Sequence, residues 1–209
     1  VDAQIGRLLD AIDQAGLTQN TIVVVWSDNG YHLGEKAISG KNTLWEPSTH
    51  VPLILAGPGI SKGARVSQPA ELLDLYPTLI ELCGLTLRKE LDGVSLVPQL
   101  KDAQAKRVRP AITSHNRSNH AVRTERWRYI YYADGSEELY DLKNDPHEWS
   151  NLAGDSAQAA TLAEHRKWLP KIDVPPAPGS AERVLTYNRT TDEAVWEGQP
   201  VRRTDPIPQ

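Results

Sequence analysis

Residues 27–35 read Ser-Asp-Asn-Gly-Tyr-His-Leu-Gly-Glu, and Gly40-Lys41 follows shortly after. Asp28 and Asn29 set a carboxylate beside a carboxamide. Both offer hard oxygen atoms, which suit Ca²⁺ or Mg²⁺ better than Zn²⁺. Gly30 and Gly34 let the backbone turn closely around a bound group. Lys41 brings a mobile ammonium within reach of an anion held beside such a cation. Asp-Asn-Gly on its own is equally a turn sequence. The residues before it decide the matter. Thr21-Ile22-Val23-Val24-Val25-Trp26 reads as a buried parallel strand, and the C-terminal end of such a strand is where an open α/β sheet builds its ligand site.

The elements that must hold these groups follow from the apolar pattern. Val1, Ile5, Leu8, Leu9 and Ile12 share one helical face, and Gly16 supplies its stop. A strand over 21–27 leads into a glycine-rich loop over 28–46. Pro52-Leu53-Ile54-Leu55-Ala56 reads as a second buried strand, closed by Gly57-Pro58-Gly59. This succession predicts the later part of a doubly wound α/β domain. Asp74 is placed to cap a helix that carries Pro77 in its first turn and runs through Cys83 to Gly84. Ser95 is placed to cap a short helix through Leu100.

A polar stretch over 101–109 marks a change of pattern. Short antiparallel strands are expected over 110–114, 121–124, 126–132 and 138–142, with a hairpin turn at 133–136. An amphipathic helix over 156–169 should pack on them with Leu162 and Trp168 inward. The expected organisation is an α/β unit over 1–105, a small antiparallel unit over 106–170, and a Pro-rich connector and tail over 171–209.

Composition narrows the classes. The chain has 209 residues and a formal net charge of −4, and the acidic balance argues against a nucleic-acid binder. One cysteine, Cys83, excludes an internal disulfide framework and reads as buried and inert. No apolar run approaches the ~20 residues that span a bilayer. Asn116-Arg117-Ser118 and Asn188-Arg189-Thr190 match the glycosylation triplet.

Several motifs in register carry a resemblance. Ser27-Asp28-Asn29-Gly30, Gly34-Glu35, Lys41 and Thr49-His50-Val51-Pro52-Leu53-Ile54 resemble the C-terminal half of a sulfatase. Asp74-Leu75-Tyr76-Pro77-Thr78-Leu79, Leu91-Asp92-Gly93-Val94-Ser95-Leu96, Glu138-Leu139-Tyr140-Asp141-Leu142, Asp145-Pro146-His147-Glu148 and Asn151-Leu152 extend the likeness over roughly residues 1 to 170. The pattern is similar to the iduronate-2-sulfatase and choline-sulfatase branch of the alkaline phosphatase superfamily. The resemblance implies the C-terminal part of a doubly wound alkaline-phosphatase-like sheet, joined to a small antiparallel sheet with a packed helix.

It also implies roles. Asp28 and Asn29 would hold Ca²⁺, with Mg²⁺ second, together with two aspartates from outside this chain. Lys41 would touch the sulfate. Tyr31, His32 and Lys36 would line the substrate mouth, and His50 would make a structural bond to the loop. The family nucleophile is a formylglycine made from a Cys- or Ser-x-Pro-Ser-Arg motif, and this sequence contains none. The expected partners are a sulfate ester, with that of a sulfated glycan favoured, and an N-terminal part of the same protein that carries the nucleophile. This chain alone is expected to be inactive. The family's compartments are periplasmic, secreted or lysosomal. Arg123, Arg126 and Arg128 read as a charged outer face of the antiparallel sheet, and Tyr129, Tyr131 and Tyr132 as packing within it. A phosphonate monoester or phosphodiester hydrolase of the same superfamily is the second reading. A non-catalytic, truncated sulfatase-like chain is the third.

Overall fold

The computed structural model describes residues 1–174, 185–188, 190–196 and 199–201. Helix α1 spans Asp2–Gln14. It stops as its glycine predicts: Gly16 takes φ +68, and the Gly16 and Leu17 amides donate to the Asp13 and Ile12 carbonyls. Those paired bonds are a Schellman motif. Strand β1 (Val23–Trp26) follows. The loop after it holds a small hairpin, β2 (His32–Leu33) with β3 (Ser39–Gly40), and one helical turn, α2 (Glu46–Thr49). Strand β4 (Leu53–Ala56) then returns beside β1.

That return corrects the expectation of buried parallel strands. β1 and β4 pair antiparallel, with Val23 opposite Ala56 and Trp26 opposite Leu53. Parallel neighbours need a crossover, usually a helix, and the segment between these two strands holds only a hairpin and a single turn. Neither strand is buried on both faces, because Trp26 and Ile54 are exposed.

A 3₁₀ turn over Leu72–Asp74 leads into α3 (Leu75–Leu82), which buries Pro77, Thr78 and Ile80. Asp74 makes no side-chain cap to α3. Its carboxylate accepts instead from the Glu71 and Val94 amides, both at 2.8 Å. Cys83 is exposed, against expectation, because it lies past the last turn and outside the buried face. Helix α4 covers Val97–Lys101, and the Ser95 hydroxyl accepts from the Val97 amide at 3.2 Å.

The four expected antiparallel strands form a meander: β5 (Ala111–Ser114), β6 (His120–Arg123), β7 (Trp127–Tyr131) and β8 (Glu137–Asp141). Alternation along the strands makes two cores. Ala121, Ile130 and Tyr140 pack with Leu44 and Trp45 from the loop after β3. On the opposite face Val122, Tyr129 and Leu139 pack with Leu162 of α5 (Ala159–Arg166). Trp168 is exposed rather than inward. Leu162, His165 and Leu169 fall on one stripe at i, i+3 and i+7, and Leu169 takes the core position instead. The tail contributes an unexpected three-stranded antiparallel sheet, β9 (Leu185–Asn188), β10 (Glu193–Trp196) and β11 (Gln199–Val201). Most of the Pro-rich connector lies outside the described residues.

A buried ionic hub joins the two halves of the chain. Glu71 accepts from the Arg107 guanidinium, the Arg109 guanidinium and the Ile112 amide, each at 3.0 Å. Arg107 also contacts Asp74 at 2.7 Å. Burial pushes the Glu71 carboxyl above the usual carboxylate range, against the amide of Ile112 and the two arginines. Removing one member strands buried charge, so Glu71→Ala should cost about 3–5 kcal/mol. Arg88→Ala, which breaks an exposed pair with Glu90, should cost under ~1 kcal/mol. Urea denaturation of both variants checks this, and equal losses would show that the hub holds nothing.

Candidate active site

The site is built where β1 ends. The Ser27 hydroxyl donates to the Asn29 carbonyl at 2.8 Å and tightens the turn. The Asn29 carboxamide nitrogen donates to the Gly30 carbonyl, also at 2.8 Å. This fixes the amide plane and leaves Oδ1 free to accept from Lys41 Nζ at 3.0 Å. The Gly30 amide donates to the Ser48 carbonyl at 2.8 Å. A Cβ on Gly30 would stand 2.0 Å from the Pro47 carbonyl oxygen, so only glycine allows the turn to lie against α2. Gly40 takes φ +152 directly before Lys41, at the end of the strand that folds the chain back to Asn29.

Asp28, Asn29 and Lys41 thus line one open cleft of about 1170 Å³, together with Ser48, His50, His115 and Arg123. Asp28 and Lys41 are exposed and Asn29 is half-buried. His50 is exposed at the cleft, and its Nδ1 lies 3.6 Å from Glu46 Oε1 at the end of the same loop.

Three other candidates lie elsewhere. Tyr31 is exposed but does not line this cleft. His32 is fully buried. Its Nδ1 donates to the Glu35 carbonyl at 3.1 Å, its Nε2 meets the Thr43 hydroxyl at 2.8 Å, and Trp45 stands edge-on to its ring. Hairpin alternation explains this, since His32 turns inward where Leu33 turns out. With both nitrogens used internally, His32 presents no free ring nitrogen to the cleft. Lys36 points away from the cleft: its ammonium donates to the Glu148 carbonyl and sits over the rings of Trp45, Tyr140 and Trp149.

Sequence reasoning missed the group that supports the site from beneath. Arg128 is buried in β7 rather than on an outer face. Its guanidinium donates to the Leu44 carbonyl at 2.8 Å, pairs with Glu46, and contacts Glu148 at 2.6 Å. Arg123 pairs with Glu46 at 3.1 Å, and the Glu46 amide donates to Glu148 at 2.8 Å. Burial pushes Glu46 up, but Arg128 and Arg123 outweigh it and hold the carboxyl below its usual range. For Glu148 burial outweighs Arg128, and its carboxyl is raised. Nothing in the local sequence links positions 46, 128 and 148. The one available signal was an arginine inside a strand whose neighbours Tyr129 and Ile130 are both apolar core types.

The donor chemistry fits a hard cation. Asn29 Oδ1 already accepts from a positive group, and Asp28 adds a carboxylate beside it. Ca²⁺ takes six to eight oxygens, so these two side chains alone would supply only part of such a site. Among the described residues no cluster of three or more His, Cys, Asp or Glu residues could hold a metal.

Asp28, Asn29 and Lys41 thus stand together where β1 ends, with Lys41 Nζ bonded to Asn29 Oδ1. The sulfatase family model matches residues 1–85. A sulfatase of Formosa agariphila is 42% identical over 83% of this chain and 34% of its own length. A delta 4,5-hexuronate-2-O-sulfatase of Bacteroides thetaiotaomicron is 36% identical over 81% of this chain and 38% of its own. The crystal structure of a phosphonate monoester hydrolase of Agrobacterium radiobacter superposes with a TM-score of 0.70 at 29% identity, over 79% of this chain and 37% of that one. The chain belongs to the sulfatase family and has the alkaline-phosphatase-like fold of its structural neighbours. It spans little more than a third of the length of the relatives it matches. No helix among the described residues is long and apolar enough to cross a membrane.

The reassignment of His32 is testable. His32→Phe keeps the ring but strands the Glu35 carbonyl and the Thr43 hydroxyl, and it should cost about 1–3 kcal/mol in chemical denaturation. A loss near zero would return His32 to the list of ligand-facing residues.

Proposed function

We propose that this chain forms part of a calcium-dependent sulfatase that hydrolyses sulfate esters, R–O–SO₃⁻, to an alcohol and sulfate. The bond from Lys41 Nζ to Asn29 Oδ1 carries the proposal. It brings together two residues twelve positions apart whose chemistries, an anion-binding ammonium and a cation-binding oxygen, are needed side by side. Asp28 and Asn29 would hold the metal through their side-chain oxygens, and the bound cation would neutralise and polarise the sulfate. Lys41, exposed at the cleft, donates to a sulfate oxygen and stabilises charge that builds there in the transition state. Gly30 keeps the turn tight against α2, so neither donor can drift. The formylglycine nucleophile of the family has no counterpart in this sequence, and the proposal places it in another part of the whole protein. Relatives that act on a hexuronate 2-O-sulfate and on a glucosamine disulfate support a sulfated glycan as the substrate class.

The likeness to a phosphonate monoester hydrolase supports a second reading. A tetrahedral phosphonate would meet the same oxygens and the same ammonium. Competition between aryl sulfate and aryl phosphonate substrates on the whole protein separates the two.

In the whole protein, Asp28→Ala should abolish aryl sulfate turnover and weaken Ca²⁺ binding in a calcium titration. Unchanged calcium affinity would remove Asp28 from the ligand set. Lys41→Ala should lower kcat/KM by roughly 10²-fold or more with the fold intact, and a loss of only a few-fold would return it to the surface. The 209-residue chain alone should show no turnover, and measurable hydrolysis by the pure chain would refute the shared-site proposal.

A further inference from the structure

The loop that carries Lys41 contains two consecutive left-handed residues that are not glycine. Lys36 has φ 54 and Ala37 has φ 58. Such conformations are disfavoured for residues with a Cβ and persist only where the surroundings hold them. Here the surroundings are a cage. The Lys36 ammonium lies 4.7 Å from the centre of the Trp45 ring, 5.0 Å from Tyr140 and 5.4 Å from Trp149, all within the range of cation–π attraction. Its remaining partner is the Glu148 carbonyl, and Glu148 is itself left-handed, at φ 58. The cage also accounts for Trp149, whose large ring is otherwise exposed.

The three rings come from different parts of the fold. Trp45 follows the site loop and donates to Glu138 at 2.7 Å. Tyr140 lies on β8, and Trp149 comes after it. Lys36 therefore fastens the tip of the β2–β3 hairpin to the antiparallel sheet. Lys41 is the residue immediately after β3, so the register of that hairpin sets where its ammonium stands. The Gly34 amide to the Ile38 carbonyl and the Ile38 amide to the Glu35 carbonyl, at 3.0 and 3.1 Å, close the strained tip.

We propose that Lys36 is a positioning residue: caged by Trp45, Tyr140 and Trp149, it latches the β2–β3 hairpin and so holds Lys41 against Asn29. Its importance for sulfate chemistry rests on the function proposed above, whereas the latch itself does not. A neutral side chain of the same length cannot satisfy the cage, while arginine, which also binds aromatic faces, can do so in part.

The test uses the 209-residue chain with Lys36→Met, Lys36→Arg, Trp149→Ala and Lys41→Ala. Amide hydrogen exchange at Gly34, Ile38 and Thr43 reads the latch. The side-chain NH₂ resonances of Asn29 read whether Lys41 is still in place. Lys36→Met should speed exchange at the three amides tenfold or more and move the Asn29 resonances to where Lys41→Ala puts them. Lys36→Arg should restore both to within about threefold of the native exchange rates and close to the native shifts. Trp149→Ala removes one exposed wall of the cage with little demand on folding, and it should act in the same direction if Lys36→Met fails to fold. Native exchange at these amides in Lys36→Met, or in Trp149→Ala where that variant stands in, would overturn the latch. Faster exchange with Asn29 unmoved would overturn the positioning of Lys41. If Asn29 is unmoved by Lys41→Ala itself, the Lys41–Asn29 contact fails, and with it both this positioning role and the observation behind the proposed function. Native contact and a working latch in a whole protein that does not cleave sulfate esters would fail the functional reading alone.

Discussion

The arrangement depends on one buried cation. Arg128 sits inside the antiparallel sheet, almost wholly removed from water, where an unpaired guanidinium would be prohibitively costly. Its partners all belong to segments that must be brought to it: the Leu44 carbonyl, the Glu46 carboxylate and the Glu148 carboxylate. Leu44 and Glu46 lie in the same stretch as Lys41. The chain around the site cannot move away from the sheet without leaving a charge buried and unpaired, a loss of about 3–5 kcal/mol where such pairs are broken. The two carboxylates answer this differently. Glu46, reached by two arginines, is held ionised, while Glu148, more completely buried, has its carboxyl raised. Arg128 and the two acids, with Arg123 on Glu46, thus form one connected keystone.

Around that keystone the site loop is fixed at further points by different physics. His32 closes a polar chain through Thr43 and Ser48, at 2.8 Å for each step. Lys36 is held by aromatic faces. Leu44 and Trp45 bury apolar surface against Ala121, Ile130 and Tyr140. Gly30 is pressed against Pro47. These attachments bound a loop whose own secondary structure is slight, two pairs of strand residues and one helical turn, and which would have no fixed shape in isolation. Precision at Lys41 and Asn29 is therefore a tertiary property, imposed by a sheet whose Arg128 stands 84 residues beyond Leu44.

This explains which parts of the molecule were legible in the sequence. The four strands of the meander, the turn between β7 and β8 and the α1 stop depend on local pattern and turn chemistry, and they fall where the pattern puts them. The convergence of Asp28, Asn29 and Lys41 on one cleft followed from strand-end position and motif spacing. The antiparallel pairing of β1 with β4 was not legible, because a run of β-branched residues reports a strand and not its partner. His32 and Lys36 were misplaced for a related reason. A histidine and a lysine beside a proposed metal pair suggest ligand contact, but a two-residue strand decides which faces inward, and the cage that captures Lys36 is assembled from residues 45, 140 and 149. Arg128 was read as surface because a charged residue near other charges usually is. Only its partners in space, Glu46 and Glu148, show otherwise.

The choice of asparagine at position 29 bears on how such a site could turn over. Lys41 rests on a neutral carboxamide oxygen at 3.0 Å. With an ionised donor the bond is charge-assisted, but Lys41 is exposed to solvent at the cleft, which weakens it. An aspartate in the same place would form a full ion pair and would offset the positive charge that an incoming anion needs to find. The neutral acceptor holds the ammonium in register without consuming its charge. On the proposed function, a sulfate oxygen, being anionic, would be the stronger acceptor and would draw the ammonium from Asn29. The carboxamide oxygen left by that exchange would then be free to face the proposed cation. Asn29 and Lys41 would in this way trade a weak mutual bond for two stronger ones, each to a charge of opposite sign. Asp28 makes no bond to Lys41 in this structure, so under the same proposal it would meet the cation without first giving up that partner.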